Sequence, residues 1–360
     1  MPKVEIARHM GLTAQGAAAI VARLERVGLL ARGVPQRGRV GQPAIPFEIA
    51  PNGAYALGLK IGRRSSELAL VDFLGQVRAV RRIAFDWPDP KTVVQFAVRS
   101  TDRLRAALPE DDRPRLVGLG IAMPSELWSW QDLLDAPAGA LDAWRGTDLP
   151  EQLAALTGLP VTVENDATAA CGAELLVGRL PLPDFLHIFV GAFVGGGVVL
   201  GGRLFQGVDR NAGALGSMPL VAGTGTEARQ LIDVASLLVL EERFTAAGLS
   251  AKSLRDPGTD WTEQAGAAAL LRQWSADAGR ALAGAVLAAC SVIDFPHVVI
   301  DGSLPATMLA DLVRDTRAAL AAFDSRGLRL PEIVAGTVGP QARSIGAAAL
   351  PLHKRFLADV

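Results

Sequence analysis

Over residues 14–27, Ala17, Ile20, Val21, Leu24 and Val27 recur at three- and four-residue spacing, the period of a helix with a single apolar face. Thr13 is a good N-cap before that run and Gly28 a stop after it, so the pattern predicts a helix between them. A shorter helix is expected at 3–10, with a break at Gly11-Leu12. Strands are expected from Leu29 and over 44–49. Between them Arg32-Gly-Val-Pro-Gln-Arg-Gly-Arg-Val-Gly-Gln-Pro43 has the glycine and proline punctuation of a basic hairpin. Helix, tight turn, helix and hairpin give the order of a winged helix-turn-helix over residues 1–50. Such a domain normally has one more helix in front, so this one is expected to lack its first helix: either the true start lies upstream or the domain is truncated.

From residue 54 the pattern becomes strand, glycine turn, strand, glycine turn, strand: Ala-Leu-Gly-Leu-Lys60-Ile-Gly62, Ser66-Glu-Leu-Ala-Leu-Val-Asp72 and Gly75-Gln-Val-Arg-Ala-Val80. The scheme returns at 186–207, and aligning Gly62 with Gly191 superimposes the two hairpins over about fifteen residues. Helices are expected at 90–107, 149–156, 167–176, 233–247, 263–293, 304–322 and 342–357. Two hairpins opening two α/β halves predict a duplicated pair of lobes with a cleft between them, the architecture of actin-like (ribonuclease H-like) nucleotide-binding proteins. The boundaries are 54–180 for the first lobe and 181–340 for the second. Residues 341–360 form a C-terminal helix returning to the first lobe.

Composition narrows the classes. Half of the 360 residues are hydrophobic and 20% are charged, which excludes a disordered chain and allows more than one core. The net charge of −1 hides an asymmetry: residues 1–50 carry seven Lys+Arg and three acids, a net of +4, on a body of net −5. Two cysteines exclude a disulfide framework and fit a reducing cytoplasm. The apolar stretches at 186–202 and 281–293 are too interrupted or too short for a membrane span, so no membrane partner is expected.

A basic head of this pattern suits DNA. A helix fits the major groove and its first residues reach base edges; here these are Thr13, Gln15 and Gly16, with the Gln15 amide suited to adenine. Arg23 and Arg26 on the helix, and Arg32, Arg37 and Arg39 in the wing, can meet phosphates or enter a minor groove. The competing possibility is a small helical cap on an enzyme.

The chain resembles the ROK family, whose name joins repressors, open reading frames and sugar kinases. The resemblance rests on Gly41-Gln-Pro-Ala-Ile-Pro-Phe-Glu-Ile49, Gly118-Leu-Gly-Ile-Ala-Met-Pro124 and Leu159-Pro-Val-Thr-Val-Glu-Asn-Asp-Ala167, and continues through Gly195-Gly-Gly197, Asn211-Ala-Gly213 and Ser344-Ile-Gly-Ala-Ala348. It implies that members with a winged helix are repressors sensing a sugar, a sugar phosphate or a protein, and that members without one are mostly sugar kinases. Where the family's first hairpin places an Asp and Gly-x-Thr-Lys, this chain has Lys60 and Gly62-Arg63-Arg64-Ser65. Where the second reads Gly-Thr-Gly, it has Gly191-Ala192-Phe193. Asn165 and Asp166 match the sugar-binding Asn and the catalytic Asp. The Glu-x-Gly-His pattern has become Ala214-Leu-Gly-Ser217, no cysteine stands in 221–230, and Ile232 replaces a later Glu.

Neither ATP nor zinc is therefore expected as a cofactor. The expected protein is a DNA-binding transcriptional regulator, a repressor by resemblance, acting on a double-stranded operator as a homodimer or homotetramer. Its effector is a sugar or sugar phosphate bound by Asn165, Asp166, Lys60, Arg63 and Arg64, or else its lobes serve only as a scaffold. Two alternatives stay open. Asn165-Asp166 also suits a plain helix cap, and Lys60, Arg63 and Arg64 suit a hydrated hairpin. The alternative function is an ATP-dependent sugar kinase with Asp166 as general base.

Overall fold

The computed structural model describes residues 1–34, 45–124, 127–130, 136–220 and 229–356. The expected wing with Arg37 and Arg39, the Trp130 side chain and the stretch 221–228 lie outside the described residues.

The chain opens with α1 (Lys3–His9), α2 (Ala14–Arg26), β1 (Leu30–Arg32) and β2 (Phe47–Ile49). Thr13 caps α2, its hydroxyl accepting from Gly16 N at 3.1 Å, and satisfies one of the amide donors left open at a helix start. β1 and β2 pair antiparallel, and Phe47 N donates to Met1 O, closing the strand pair onto the start of the chain. The apolar face expected on α2 is only half used: Ala17 and Val21 are buried, whereas Ile20 and Val27 are 47% and 54% exposed.

The first lobe follows as β3 (Tyr55–Ile61), β4 (Ser65–Asp72), β5 (Val77–Ala84), α3 (Pro90–Ala107), β6 (Leu116–Met123), α4 (Leu149–Thr157), β7 (Val161–Asn165) and α5 (Asp166–Val177). The second contains β8 (Phe185–Val190), β9 (Val194–Leu200), β10 (Arg203–Phe205), β11 (Pro219–Leu220), β12 (Arg229–Gln230), α6 (Ile232–Ala235), α7 (Leu237–Ala246), α8 (Ala267–Cys290), β13 (His297–Gly302), α9 (Ala306–Ala322) and β14 (Glu332–Ala335). The last element is α10 (Ala342–Phe356).

The two large sheets have one topology. Their orders are β5-β4-β3-β6-β7 and β10-β9-β8-β13-β14, in each case three antiparallel strands carrying two parallel strands on the inner edge. The central strands are apolar because both faces are covered: Leu57, Leu59, Ile61 and Ile121 are wholly buried in the first lobe, as are Ile188, Val299 and Ile300 in the second. Each such side chain contributes about 1.5–3 kcal/mol by leaving water.

Helices α5 and α10 pack on each other between the sheets, α10 on β3, β4 and β6 and α5 on β8 and β9. Small residues permit this contact. A Cβ at Gly120 would strike the Ala347 carbonyl, and one at Gly346 the Ala169 carbonyl. The apolar stretch 281–293 lies mostly in α8, whose Leu282, Ala283 and Val286 are buried, and 186–202 forms β8 and β9. Among the described residues no helix is long and apolar enough to cross a membrane.

Three expectations need correction. The two hairpins are not equivalent over an unbroken stretch. Ile61 pairs with Ser66 but Val190 with Val194, so the first turn is one residue longer and the alignment slips after it. The helix expected at 233–247 is two helices, broken at the extended, buried Ser236, because Leu237 N and Leu238 N donate to the carbonyls of Gly191 and Ala192 at 3.0 and 3.3 Å. The helix expected at 263–293 spans only Ala267–Cys290, since Gly266 before it has φ +89°.

Candidate functional site: the cleft between the lobes

The turns β3–β4 and β8–β9 both point into a cleft of about 1570 Å³ between the lobes. Lys60, Arg63, Arg64, Asn165 and Asp166 all line it, so the five expected ligand residues, taken from two separate motifs, are brought together. They are not in one chemical state.

Asn165 is the N-cap of α5. Its Oδ1 accepts from Ala167 N at 3.0 Å and Thr168 N at 3.4 Å, the arrangement of a structural cap. Asp166, the next residue, faces the cleft and meets Arg343 Nη1 of α10 at 3.3 Å. Arg343 also donates to Ser303 Oγ at 3.2 Å and lies 4.9 Å from the Phe189 ring centroid, while its buried Nε makes no hydrogen bond among the described residues. This arginine ties α5 and α10 to the second lobe. The sequence placed it beside Ser344-Ile-Gly-Ala-Ala348 but gave no local sign of a partner 177 residues away.

Lys60 is on the cleft end of β3, its side chain curled under the Gly62 turn toward Ser65 O and Oγ, each 3.4 Å away. Burial lowers its pKa to about 7; the nearby Arg343 adds to that, and Glu67 and Asp166 oppose it. Its cross-strand neighbour Glu67 is engaged elsewhere, with Arg82 at 2.5 Å and with Ser344 Oγ at 2.7 Å. Arg63 is only 7% exposed, and its guanidinium stacks across the cleft on the Phe193 ring of the second hairpin. Burial draws its pKa down to about 8, so it stays charged at neutral pH. A hydrated hairpin is therefore not what these two residues form; Arg64 is half-buried.

Glu164, in the same Glu-Asn-Asp-Ala stretch, is a further residue that sequence reasoning passed over. It is 2% exposed, accepts from Arg210 Nη2 at 2.7 Å and from Gln206, and so anchors the 206–210 loop to β7. No aromatic stacking surface for a sugar comes from Trp128 or Trp144: Trp144 is buried with Nε1 bonded to Pro88 O at 2.7 Å, Trp128 faces Arg145, and neither lines the cleft.

In the head, Gln15, Arg23 and Arg26 are exposed on α2, and Gly16 lies against its cap. Arg32 is held by Glu25 of α2 at 2.6 Å, which lowers the Glu25 pKa and raises that of Arg32.

Two sheets of one topology facing across a cleft define the actin-like class of two-lobed α/β proteins, shared by sugar kinases and the regulators built on their fold. Residues 56–231 match the ROK family, and the chain carries a ROK family domain there. The protein y4fQ of Sinorhizobium fredii is 27% identical over 358 residues, 98% of this chain and 87% of that protein. A ROK family transcriptional regulator, described as a homologue of the E. coli MLC protein, has the same fold with a TM-score of 0.66 at 21% identity, over 98% of this chain and 91% of its own. A ROK family glucokinase from Streptomyces griseus, in complex with glucose and AMPPNP, gives a TM-score of 0.62 at 21% identity, over 82% of this chain and 99% of its own.

Proposed function

We propose that this protein is a DNA-binding transcriptional regulator whose two-lobed body senses a small molecule. The observation that carries the reading is the head: α2, capped by Thr13, turns Gln15, Arg23 and Arg26 to solvent while Ala17 and Val21 are buried. Such a helix can enter a major groove by its first turn and meet phosphates further along. The alignment lengths support it, because the regulator matches 98% of the chain and the glucokinase 82%. The cleft supports it too, since Lys60 and the Arg63–Phe193 stack stand where the two turns face each other. Reading a symmetric operator requires paired heads, hence a homodimer or homotetramer. An effector that prefers one lobe arrangement shifts the population and so the spacing of the heads.

Selection of bound genomic fragments followed by a salt titration tests this. A palindromic site is expected, with affinity falling steeply as salt rises. Replacing Arg23 or Arg26 by Gln should reduce the salt slope by about one, and Gln15→Ala should relax sequence choice. A chain that enriches no fragment is not a DNA-binding regulator. The second reading, a sugar kinase with Asp166 as general base, is favoured by the position of that carboxylate in the cleft. It requires phosphorylated product from ATP, magnesium and a hexose, lost in Asp166→Asn.

A further inference from the structure

In the cleft, Lys60, Arg63 and Arg343 lie near Asp166, which pairs with Arg343, while Glu67 is held by Arg82 and Ser344 and Glu241 acts on Arg63. We propose that this part of the cleft binds the anionic group of a small polyhydroxylated ligand, a phosphate or a carboxylate, between Lys60 and Arg343. The inference rests on the cleft being a sensing site.

The argument is one of charge balance. Lys60 makes no ion pair among the described residues, and its two hydrogen bonds are long. Arg343 spends one nitrogen on Asp166 and one on Ser303 and leaves Nε buried without an acceptor among the described residues. A cation removed from water is stabilised by an anion that accepts charge-assisted hydrogen bonds, and a guanidinium with a spare N–H beside an ammonium supplies donors for two oxygens of one group. Asp166 and Ser303 flank these donors and suit hydroxyl groups on the same ligand, as acceptor and as either partner. A neutral sugar would satisfy the hydroxyl partners and leave the cations as they are.

Binding then carries a proton signature. Around Lys60 stand Arg63 in its own turn, Glu67 on β4, Arg82 on β5, Asp166 on α5 and Arg343 on α10, and burial brings Lys60 down to about 7. An anion beside it raises that value, so the ligand binds with proton uptake above neutrality and more weakly as pH rises.

Calorimetric titration of the full chain with gluconate, glucose 6-phosphate and glucose tests this, at pH 6.5 and 8.5 and in buffers of different ionisation enthalpy. One or both anionic ligands should bind at least about tenfold more tightly than glucose. Gluconate, whose charge is constant over this range, should lose about tenfold or more in affinity between the two pH values and should take up protons. Lys60→Met, which replaces a buried ammonium with an apolar chain of similar length, should fold, weaken anion binding at pH 6.5 by at least tenfold and reduce the proton uptake. Whichever anion binds identifies the head group. Glucose binding as tightly as both anions, no binding of either anion by folded protein, or unchanged affinity in Lys60→Met overturns the proposal. Fragment selection is read without ligand, so a protein that enriches an operator yet binds no anion keeps the regulator reading and loses this one.

Discussion

The β3–β4 and β8–β9 hairpins occupy the same place in two sheets of the same order, yet they present opposite chemistry to the cleft. In strand register Lys60 of the first corresponds to Phe189 of the second, each the residue before the last of its strand, and both lie near Arg343. The first turn contributes Arg63 and the second Phe193, and those two side chains stack on each other. A duplicated scaffold whose halves carried the same groups could only repel or ignore itself across the cleft. Here the halves are complementary, cations on one and aromatic rings on the other, and a contact between lobes replaces a symmetric pair of ligand loops.

The largest expected effect comes from forcing one hairpin to take the other's sequence. In register Leu68 of β4 corresponds to Gly196 of β9. Leu68 is fully buried on β4, whereas a Cβ at Gly196 would lie 2.6 Å from the His187 carbonyl and 2.9 Å from that of Gly213, since the loop through Gly213 rests directly on β9. Gly196→Leu should therefore destabilise the protein by at least about 3 kcal/mol, because two backbone carbonyls, and not only the Leu215 side chain, stand in the way. Urea unfolding measures it. A loss below 1 kcal/mol would mean that the loop yields and that the glycines do not mark a difference between the hairpins.

A smaller effect, of opposite sign, is expected from making the first hairpin apolar where the second already is. An unfolded lysine titrates near 10.5, and Lys60 in the folded protein near 7. Between those values the unfolded chain holds a proton that the folded chain lacks, so stability rises with pH across that window, and the burial cost is fully present below 7. Lys60→Met should be more stable than the parent by about 1–3 kcal/mol at pH 6, with the gap narrowing toward pH 10. Denaturant midpoints across that range give the comparison. A constant gap would show that the gain comes from packing and not from charge.

How much of this was legible in sequence depended on how local each cause is. The repeat of strand, glycine turn and strand is a property of consecutive residues, and it placed both hairpins and the cleft between them; Lys60, Arg63, Arg64, Asn165 and Asp166 were found because they sit in those motifs. Four features were not legible, and each depends on residues far apart in the chain. Arg343 finds Asp166 across 177 residues, and Glu164 is buried by Arg210 across 46. The break at Ser236 is set by carbonyls at Gly191 and Ala192. The one-residue difference between the turns appears only in strand pairing. On α2, periodicity overstated the buried face because Ile20 and Val27 find no covering among the described residues.

The contact that joins the two hairpins should have the smallest effect, and it tests the comparison most directly. Arg63 keeps little access to water, so its charge gains more from an aromatic face than an exposed arginine would, but part of that gain offsets the desolvation that lowers its pKa. Single substitutions confuse the two terms: Phe193→Leu leaves a buried cation without its ring, and Arg63→Met removes the desolvation cost along with the stack. The double-mutant cycle separates them, and its coupling should be about 0.5–2 kcal/mol in favour of the wild-type pair. Zero coupling at pH 7 would mean that the lobes merely lie next to each other here, and the link to the second hairpin would then run from Arg343 of α10 to Phe189.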